Sequence, residues 1–472
     1  MKISLAVPLI LLLFLSGTLF AENFIPLKVF SQNGHFIVKE NGEPFFYLGD
    51  TAWELFHRLT REETERYLKN RQQKKFTVIQ AVALAEFDGL NTPNRYGDKP
   101  LVENDPEQPD ITSGSNPDNA EEYDYWDHVD WVVAKAEELG LYIGLLPTWG
   151  DKVFRKWGIG PVVFNPENAR AYGEWIGNRY KDSPNILWIM GGDRAPEEDT
   201  NDYRPVFRAM AEGIKSVDSN HLMTYHTWGG TSTSRWFHND SWLDFNMMQS
   251  GHSEKNIDNY SQIFKDYNLK PAKPCMDSEP CYEDHPVNWN RENGWFDDYD
   301  VRKATYRSLL AGGHGITYGC HDIWQFLQDA YEPVSQARTP WGIAIDLPGS
   351  FQMQYVRALM ESRPMLDRIP DQTIIASDPG EGEEHIRAAR AFDGSYAFVY
   401  IPTGKTIDVN IASISGSSIN AFWFDPRIGE TTLIRTIKPG AKTERFNPPG
   451  EHTSGNDWVL ILDNAEKGYN NP

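Results

Sequence analysis

Short apolar segments alternate with helical segments through most of the chain, and this alternation restricts the fold more than any other feature. Eight segments have the length and composition of buried strands: residues 45–48, 77–84, 142–147, 186–190, 222–225, 245–248, 274–277 and 315–319. The helical patterns cover residues 61–74, 123–139, 166–180, 203–217, 256–267, 299–310 and 351–361. A capping box at residues 60–63 and a proline at position 166 mark two helix starts. Eight strands with intervening helices predict a (β/α)8 TIM barrel of the α/β class.

The pattern changes after residue 368. Five short strand-like segments follow, separated by turn signals such as Asp393-Gly394 and Pro449-Gly450: residues 386–392, 396–401, 407–411, 421–424 and 458–462. We therefore predict a small antiparallel β-sandwich at residues 369–472. The barrel is expected at residues 22–368, beginning with a β-hairpin around the Asn41-Gly42 turn signal.

The first 21 residues have the features of a secretory signal peptide: a lysine, an apolar stretch and small residues near the end. A retained N-terminal anchor is the alternative. No later segment is long and apolar enough to span a bilayer, so we expect a secreted or periplasmic protein with no stable membrane insertion after signal removal. The net charge of −22 argues against nucleic acid as a partner. Three cysteines provide no disulfide framework, although one bridge stays open.

Two of the predicted strands end in carboxylates. Asp193 closes the segment 185–193, and Glu279 closes the segment 273–279, with Asp277 one layer deeper on the same face. Because the carboxyl ends of barrel strands point into one site, we expect Asp193 and Glu279 to face each other across a pocket. Paired carboxylates cleave glycosidic bonds, so the sequence predicts a glycoside hydrolase acting on a polysaccharide or oligosaccharide. Either carboxylate alone would be an ordinary solvated loop residue.

Further polar and aromatic residues follow the other strands. A hydroxyl-rich ligand needs flat stacking surfaces and directional hydrogen bonds, and both are available at this rim. The candidate substrate-binding residues are Asp50, Trp53, Glu86, Trp149, Arg194, His226, Trp228, Gln249, His252, His321, Asp322 and Trp324. Each alone is equally explained as a core or capping residue. The turn-rich loop at residues 86–120 follows the second strand and is long enough to suggest a function.

Other barrel chemistries have no matching motif. The sequence has neither His-x-His after the first strand nor His-Glu-x-x-His, so no metal is predicted. It also lacks a glycine-rich phosphate loop and a Gly-x-Ser-x-Gly elbow, and no cofactor is expected. Two non-catalytic alternatives stay open: a glycan-binding protein with a relic barrel, and an adhesion protein that acts through the sandwich.

Four motifs carry a family resemblance: Gly-Asp-Thr-Ala-Trp at 49–53, Trp-Ile-Met-Gly-Gly-Asp at 188–193, Asp-Ser-Glu-Pro at 277–280, and Gly-Ile-Thr-Tyr-Gly at 315–319 with Trp324. In these motifs the chain resembles glycoside hydrolase family 140, the apiosidase-like enzymes of the clan A barrel type. Its tail is similar to the β-sandwich, labelled collagen-binding, that follows their barrel. Gly192-Asp193 stands where the wider clan has Asn-Glu.

The resemblance implies a retaining hydrolase with Asp193 as the acid/base and Glu279 as the nucleophile. It also implies a pectic substrate, apiose linked to galacturonate in rhamnogalacturonan II; another neutral or acidic glycan is the alternative. An anionic ligand needs local positive charge on this acidic chain, and Lys152, Arg155 and Lys156 after the third strand are candidates, as is Arg194. A solvated basic loop is the alternative explanation. Retention predicts carboxyl groups about 5–5.5 Å apart. Should Asp277 lie closer to Asp193, the nucleophile would be Asp277.

Overall fold

The computed structural model describes residues 24–438, 440 and 442–472, so the predicted signal peptide at residues 1–21 lies outside the described residues. In the first part of the described chain, strands and helices alternate as the sequence predicts. The strands are β1 (Leu27–Val29), β2 (Ile37–Lys39), β3 (Tyr47–Thr51), β4 (Val78–Leu84), β5 (Tyr142–Thr148), β6 (Ile186–Gly191), β7 (Glu197–Glu198), β8 (Asn201–Asp202), β9 (Met223–His226), β10 (Thr231–Ser232), β11 (Asn246–Gln249), β12 (Cys275–Asp277) and β13 (Gly315–Tyr318).

Nine of these strands form one curled sheet in the order β10-β11-β12-β13-β3-β4-β5-β6-β9. All neighbours are parallel except β10 and β11, and the eight parallel strands correspond to the eight predicted ones. The residues of these eight strands are buried, which explains why they are continuous apolar runs and not alternating ones. Their carboxyl ends therefore meet at one end of the sheet.

The two ends of the parallel run, β9 and β11, do not share a strand ladder in the described residues. Three hydrogen bonds link β9 to the residues just before β11, one of them from the amide of Met223 to Oδ2 of Asp244 at 2.7 Å. The amide of Asp244 donates to the carbonyl of Met223 at 2.8 Å, and the hydroxyl of Thr224 donates to the carbonyl of Phe245 at 2.7 Å. We call this line between β9 and β11 the seam. The curled parallel sheet confirms the α/β class, but a closed ladder is not formed.

The longer helices begin where capping residues predict. Thr60 and Glu63 form the expected capping box of α2, and Pro166 opens α4 after the Asn165 cap. The seventh helix begins later than the apolar pattern suggested, because Asp258 caps it by accepting the amide of Ser261. The helices are α1 (Leu55–Arg58), α2 (Arg61–Gln73), α3 (Tyr125–Glu138), α4 (Pro166–Tyr180), α5 (Arg204–Val217), α6 (Ser234–Phe237), α7 (Asn259–Tyr267), α8 (Asp298–Leu310), α9 (His321–Trp324), α10 (Trp341–Ala344) and α11 (Pro348–Glu361).

The C-terminal part is an antiparallel β-sandwich. A six-stranded sheet in the order β14-β15-β16-β21-β18-β19 packs against the pair β17-β20. The edge strand β19 was not predicted, because its residues are mostly exposed and carry no strict alternation. The strands are β14 (Arg368–Pro370), β15 (Arg387–Ala391), β16 (Tyr396–Ile401), β17 (Ile407–Asn410), β18 (Ile419–Asp425), β19 (Glu430–Ile437), β20 (Thr443–Phe446) and β21 (Trp458–Asn464).

The helix α8 joins the two parts. Its Arg302 makes a bidentate ion pair with Asp457 of the sandwich, at 2.9 and 3.0 Å, and both side chains are buried. The rings of Tyr306 and Tyr400 stack beside this pair with centroids 4.9 Å apart.

Two further expectations concern covalent and membrane chemistry. All three cysteines are buried and unbridged, so the disulfide left open by the sequence does not form. Among the described residues, helices with the length and apolar character needed to cross a bilayer do not occur.

Candidate active site

A pocket of about 950 Å³ lies at the carboxyl ends of the parallel strands. It contains both carboxylates that the sequence singled out, Asp193 after β6 and Glu279 after β12. Of the other candidate residues, eight line it: Trp53, Glu86, Trp149, Trp228, Gln249, His252, His321 and Trp324. A cavity of this size with aromatic walls and a few convergent polar groups has the dimensions and chemistry of a small-ligand site.

The backbone at the end of β6 determines where Asp193 points. Gly191, Gly192 and Asp193 all have positive φ angles, 93°, 103° and 47°. A Cβ atom on Gly191 would lie 2.3 Å from the carbonyl oxygen of His226, and one on Gly192 would lie 2.9 Å from the ring of Trp149. Only glycine fits these two positions, so the Gly-Gly-Asp sequence is a steric requirement. The left-handed Asp193 is the kind of backbone outlier found at functional sites.

Two hydrogen-bond donors reach the Asp193 carboxyl, and both of them contact the same oxygen. The indole N–H of Trp157 donates to its Oδ2 at 3.0 Å, and a guanidinium nitrogen of Arg194 lies 3.4 Å from the same atom. Burial and the neighbouring charge of Glu279 raise the pKa of Asp193 to about 6, against the opposing effects of Arg194 and His226. This carboxyl can therefore hold a proton close to neutral pH and release it within the pocket.

Glu279 lies between two histidines. Nε2 of His252 is 3.1 Å from Oε1, and Nε2 of His226 is 3.0 Å from Oε2, the second contact being less well aligned. The Nδ1 atoms accept backbone amides, from Tyr282 for His252 and from Asp193 for His226, each at 3.3 Å. In the neutral imidazoles the proton therefore sits on Nε2, facing Glu279.

Two opposing effects act on the ionisation of Glu279. Burial alone would raise its pKa, but the two imidazoles outweigh burial and lower the pKa to about 2. Glu279 is therefore ionised when Asp193 is protonated. Two carboxyls whose environments push their pKa values apart are the arrangement expected of an acid and a nucleophile.

Asp277 lies below this pair and is not part of the pocket wall. Its carboxylate accepts the hydroxyl of Ser250 at 2.7 Å and the amide of Asn259 at 3.0 Å, in a fully buried position. The alternative that Asp277 is the nucleophile has no support, because its lone pairs are used to hold the loop after β11.

Four of the predicted substrate-binding residues do not reach the pocket. Asp50 is fully buried behind the sheet, where Tyr67 and Arg71 each donate to it at 2.5 Å. Asp322 accepts the amides of Arg338 and Thr339, at 2.9 and 3.0 Å, and so holds the loop beside the pocket. Burial is the main cause that raises the pKa of Asp322 to about 7.

Arg194 and His226 are the other two. Both are fully buried behind the carboxylates, so neither can touch a bound sugar directly. The backbone carbonyl of Asp193 accepts the Arg194 guanidinium at 2.7 Å, and His226 contacts both Asp193 and Glu279. These residues therefore act on the carboxylates and not on the ligand.

The predicted basic cluster is reduced to one residue. Lys152 is fully buried and paired with Asp151 at 2.7 Å, and Arg155 donates to the carbonyl of Gly158 in its own loop. Among the described residues, Lys156 is the one lysine or arginine of the pocket wall, with its Nζ 4.0 Å from the ring centroid of Trp228. Lys152 was a wrong candidate because a lysine beside a buried aspartate is a structural ion pair.

Glu86 is another carboxyl of the pocket wall, which also includes Glu254. Burial and the negative charges of Asp151 and Asp193 raise the pKa of Glu86 to about 8. At neutral pH this group is mostly protonated, so it can both donate to and accept from a hydroxyl group.

Several wall residues were not predicted, because they lie on loops and not at strand ends. They include Phe87, Trp157, Tyr282, His285 and Trp289. Trp157 and Trp289 are about half exposed, which is unusual for tryptophan. Trp289 stands between two asparagines, which is a weak signal for an exposed loop platform, but the sequence does not say which way the ring points.

With this geometry in place, comparisons with known proteins become informative. Residues 31–367 match the family described as "Apiosidase-like, catalytic domain". The chain belongs to the apiosidase-like family. Residues 369–463 match the domain described as "Putative collagen-binding domain of a collagenase". No curated protein matches the chain.

Solved structures extend the family assignment. A structure named "Glycoside hydrolase" is 35% identical, with a TM-score of 0.83, over 94% of this chain and 97% of that one. A glycoside hydrolase family 5 structure from Bacteroides vulgatus is 33% identical, with a TM-score of 0.83, over 93% of each chain. A third, titled as a glycoside hydrolase from the same organism, is 15% identical with a TM-score of 0.65, over 93% of this chain and 82% of that one, and shows the fold alone. This member of the apiosidase-like family is therefore a glycoside hydrolase with a carbohydrate substrate.

Proposed function

We propose that this enzyme hydrolyses glycosides with retention of configuration, with Asp193 as the acid/base and Glu279 as the nucleophile. The observation that carries the proposal is that two carboxyls of one pocket have different partners: Glu279 lies between two imidazoles, and Asp193 receives its donors on one oxygen. Burial and these partners move the pKa of Asp193 up to about 6 and that of Glu279 down to about 2. His226 contacts the amide of Asp193 and the carboxylate of Glu279, so the two residues are one imidazole ring apart.

The proposed reaction has two steps. The Glu279 carboxylate attacks the anomeric carbon, the glycosidic bond breaks, and the leaving oxygen takes the proton of Asp193. The Asp193 carboxylate then removes a proton from water, which attacks the anomeric carbon and releases Glu279. His226 and His252 hold Glu279 in place during both steps, and neither needs to change its protonation.

We further propose a neutral sugar next to Glu279 and an acidic sugar on the leaving side. Four carboxyl residues line the pocket, Glu86, Asp193, Glu254 and Glu279. The ionised Glu279, next to the anomeric carbon, would repel an anionic glycone. Lys156 beside Trp228 is the one lysine or arginine of the pocket wall among the described residues, and an acidic aglycone would compete with Glu198 for its ammonium group. Apiose linked to galacturonate in rhamnogalacturonan II, the substrate implied by resemblance to glycoside hydrolase family 140, fits this charge distribution. A neutral glycan bound by the aromatic wall is the alternative.

The test is incubation with a panel of pectic oligosaccharides, including apiose-bearing fragments of rhamnogalacturonan II, and neutral β-linked oligosaccharides for comparison. We expect release of a neutral monosaccharide whose first-formed anomer, followed by proton NMR, keeps the substrate's configuration. Glu279→Gln should abolish release and serves as the control for contaminating activities. Inversion, or cleavage that survives in Glu279→Gln, would overturn the mechanism. Cleavage of neutral substrates alone would overturn the acidic aglycone.

The proposal also covers the architecture of the sheet and the export of the protein. We propose that the curled sheet acts as a (β/α)8 barrel joined at the seam, and that residues 1–21 direct export. Expression of the full chain in a bacterial host, followed by intact-mass measurement of the protein from periplasm and membranes, tests the second point. A full-length mass in the membrane fraction would favour the retained anchor instead.

A further inference from the structure

Trp157 lies in the loop between β5 and α4, at the mouth of the pocket. Its side chain is 53% exposed, which is costly for an indole unless something holds it there. The ring stacks on Trp228, with centroids 5.5 Å apart and planes at 28°, and the Arg194 guanidinium lies 4.5 Å from its centroid. Its N–H donates to Oδ2 of Asp193 at 3.0 Å. The ring is therefore fixed by three contacts, one of which ends on the acid/base.

The contact has a direction, because an indole N–H can only donate. Oδ2 of Asp193 receives Trp157 and Arg194, whereas none of the described side chains or amides donates to Oδ1. A proton shared by the carboxyl group is therefore expected on Oδ1, the oxygen left free to face a leaving group. A carboxyl that can rotate would present its proton in the wrong direction for part of the time, and orientation of the reacting group is a large part of catalysis.

Other charged groups also face Asp193. Glu279 favours its protonated form, whereas Arg194 and His226 favour the ionised form. Glu86 also lies in this pocket, and the charge of Asp193 contributes to its raised pKa. Arg194 is fully buried and His226 is fixed by Glu279, so both stay in place when the pocket fills. Trp157 is the exposed hydrogen-bond donor to Asp193, so a bound aglycone can touch it.

We propose that Trp157 is a positioning residue, whose indole N–H fixes Oδ2 of Asp193 and so assigns Oδ1 to proton transfer. The inference rests on the proposed role of Asp193 as the acid/base. Under this proposal the Trp157 ring has two functions. It stacks on the leaving sugar, and it orients Asp193, the group that protonates that sugar.

The decisive variant is Trp157→Phe, which keeps an aromatic ring on Trp228 but removes the donor. Loss of a donor to the ionised form raises the pKa of Asp193, so the alkaline limb of kcat/KM should move upward by up to about one pH unit. Turnover should fall for substrates with natural leaving groups and change little for aryl glycosides, which need no proton. Trp228→Phe is the matched control, because it alters the same platform without touching Asp193; its alkaline limb should match the wild type.

A second measurement needs no substrate. In protein carrying ¹⁵N-labelled tryptophan, the indole N–H signal of Trp157, identified by its loss in Trp157→Phe, should titrate with a midpoint near the pKa of Asp193. The titration should vanish in Asp193→Asn. An indole signal that does not titrate in the wild type, or an unmoved alkaline limb in Trp157→Phe, would overturn the proposal. Titration without cleavage of any glycoside would instead refute the proposed function and leave the hydrogen bond established.

Discussion

At the residue scale, two imidazoles make the carboxylates unequal. His226 and His252 each accept a backbone amide at Nδ1 and face Glu279 with Nε2. Asp193 receives its two donors, Trp157 and Arg194, on one oxygen, and the charge of Glu279 raises its pKa. The backbone amides select the imidazole tautomers that direct their Nε2 protons at Glu279. The difference in pKa between the two carboxyls therefore comes from their partners and not from the carboxyl groups themselves.

The acid role predicts a leaving-group effect for Asp193→Asn. Asparagine cannot supply a proton, and general acid catalysis contributes about 10²–10⁴-fold. We expect losses of this size in kcat/KM on natural oligosaccharides, and much smaller losses on aryl glycosides with activated leaving groups. Steady-state kinetics on both substrate types is the measurement, and equal losses would show that Asp193 does not act as an acid.

Removing a hydrogen-bond donor to Glu279 should move the acid limb of the pH profile of kcat/KM to higher pH. The proposed mechanism needs Glu279 ionised, so activity should be lost as the pH falls through the pKa of that group, about 2 in the wild type. His252→Phe removes one donor to the carboxylate and should move this limb upward by about one to two pH units. The pH profile of kcat/KM is the readout. His321→Phe changes another pocket histidine that does not contact Glu279, and its limb should stay where it is.

At the element scale, the turn after β6 is the part of the site with least freedom. Three consecutive positive φ angles and two close backbone approaches leave no room for side chains at positions 191 and 192. Strand β12 has no such turn, so Glu279 follows its strand directly. The proposed acid, Asp193, therefore depends on local backbone geometry more than the proposed nucleophile, Glu279, does.

Gly192→Ala tests this dependence. The new Cβ would meet Trp149 at 2.9 Å in a left-handed conformation, so we expect a stability loss of about 1–3 kcal/mol and roughly a hundredfold loss of turnover as Asp193 shifts. Gly97→Ala is the matched control: it has a similar φ of 95°, and a Cβ there would have nothing within 4 Å. Gly97→Ala should share the backbone strain and keep its turnover. Equal activity in both variants would contradict the steric argument.

The elements also show what a sequence can and cannot predict. The parallel strands were recoverable because each is a continuous buried run, and their ends located Asp193 and Glu279. Asp50 was misplaced because side-chain direction at a strand end depends on the phase of the alternation, which the sequence of β3 leaves ambiguous. Trp157 and Trp289 were missed because loop conformation is set by tertiary contacts. Lys152 was misjudged because its burial depends on how the same loop folds.

At the scale of the whole molecule, the sandwich is attached to the sheet domain through buried polar contacts. Arg302 of α8 and Asp457 of the sandwich lose almost all solvent contact, and Tyr400 donates to the same carboxylate at 3.1 Å. A buried charge left without its partner is strongly destabilising, whatever the net value of the pair itself. The sandwich is thus part of the folded catalytic unit and not a freely tethered module.

Asp457→Ala should therefore lower the free energy of unfolding by about 3–5 kcal/mol, since Arg302 would remain buried with fewer partners. Denaturant unfolding is the measurement, and loss of the coupling should separate the unfolding of the two parts. Asp408→Ala breaks an exposed ion pair with Arg445 inside the sandwich and should unfold like the wild type. A similar small effect of both variants would show that the interface is not a stabilising contact.

The seam gives the proposed nucleophile a second task. His226 ends β9 and His252 follows β11, so Glu279 is gripped by one imidazole from each side of the line where the ladder is missing. Many enzymes become more stable when a charged catalytic group is replaced, because the arrangement that holds such a group lowers the free energy of unfolding. Replacement of Glu279 would instead remove the group that links His226 and His252 across the seam, and so should destabilise the sheet along that line. At this position activity and stability therefore depend on the same residue. A variant inactivated by substitution of Glu279 should also unfold more readily than the wild type.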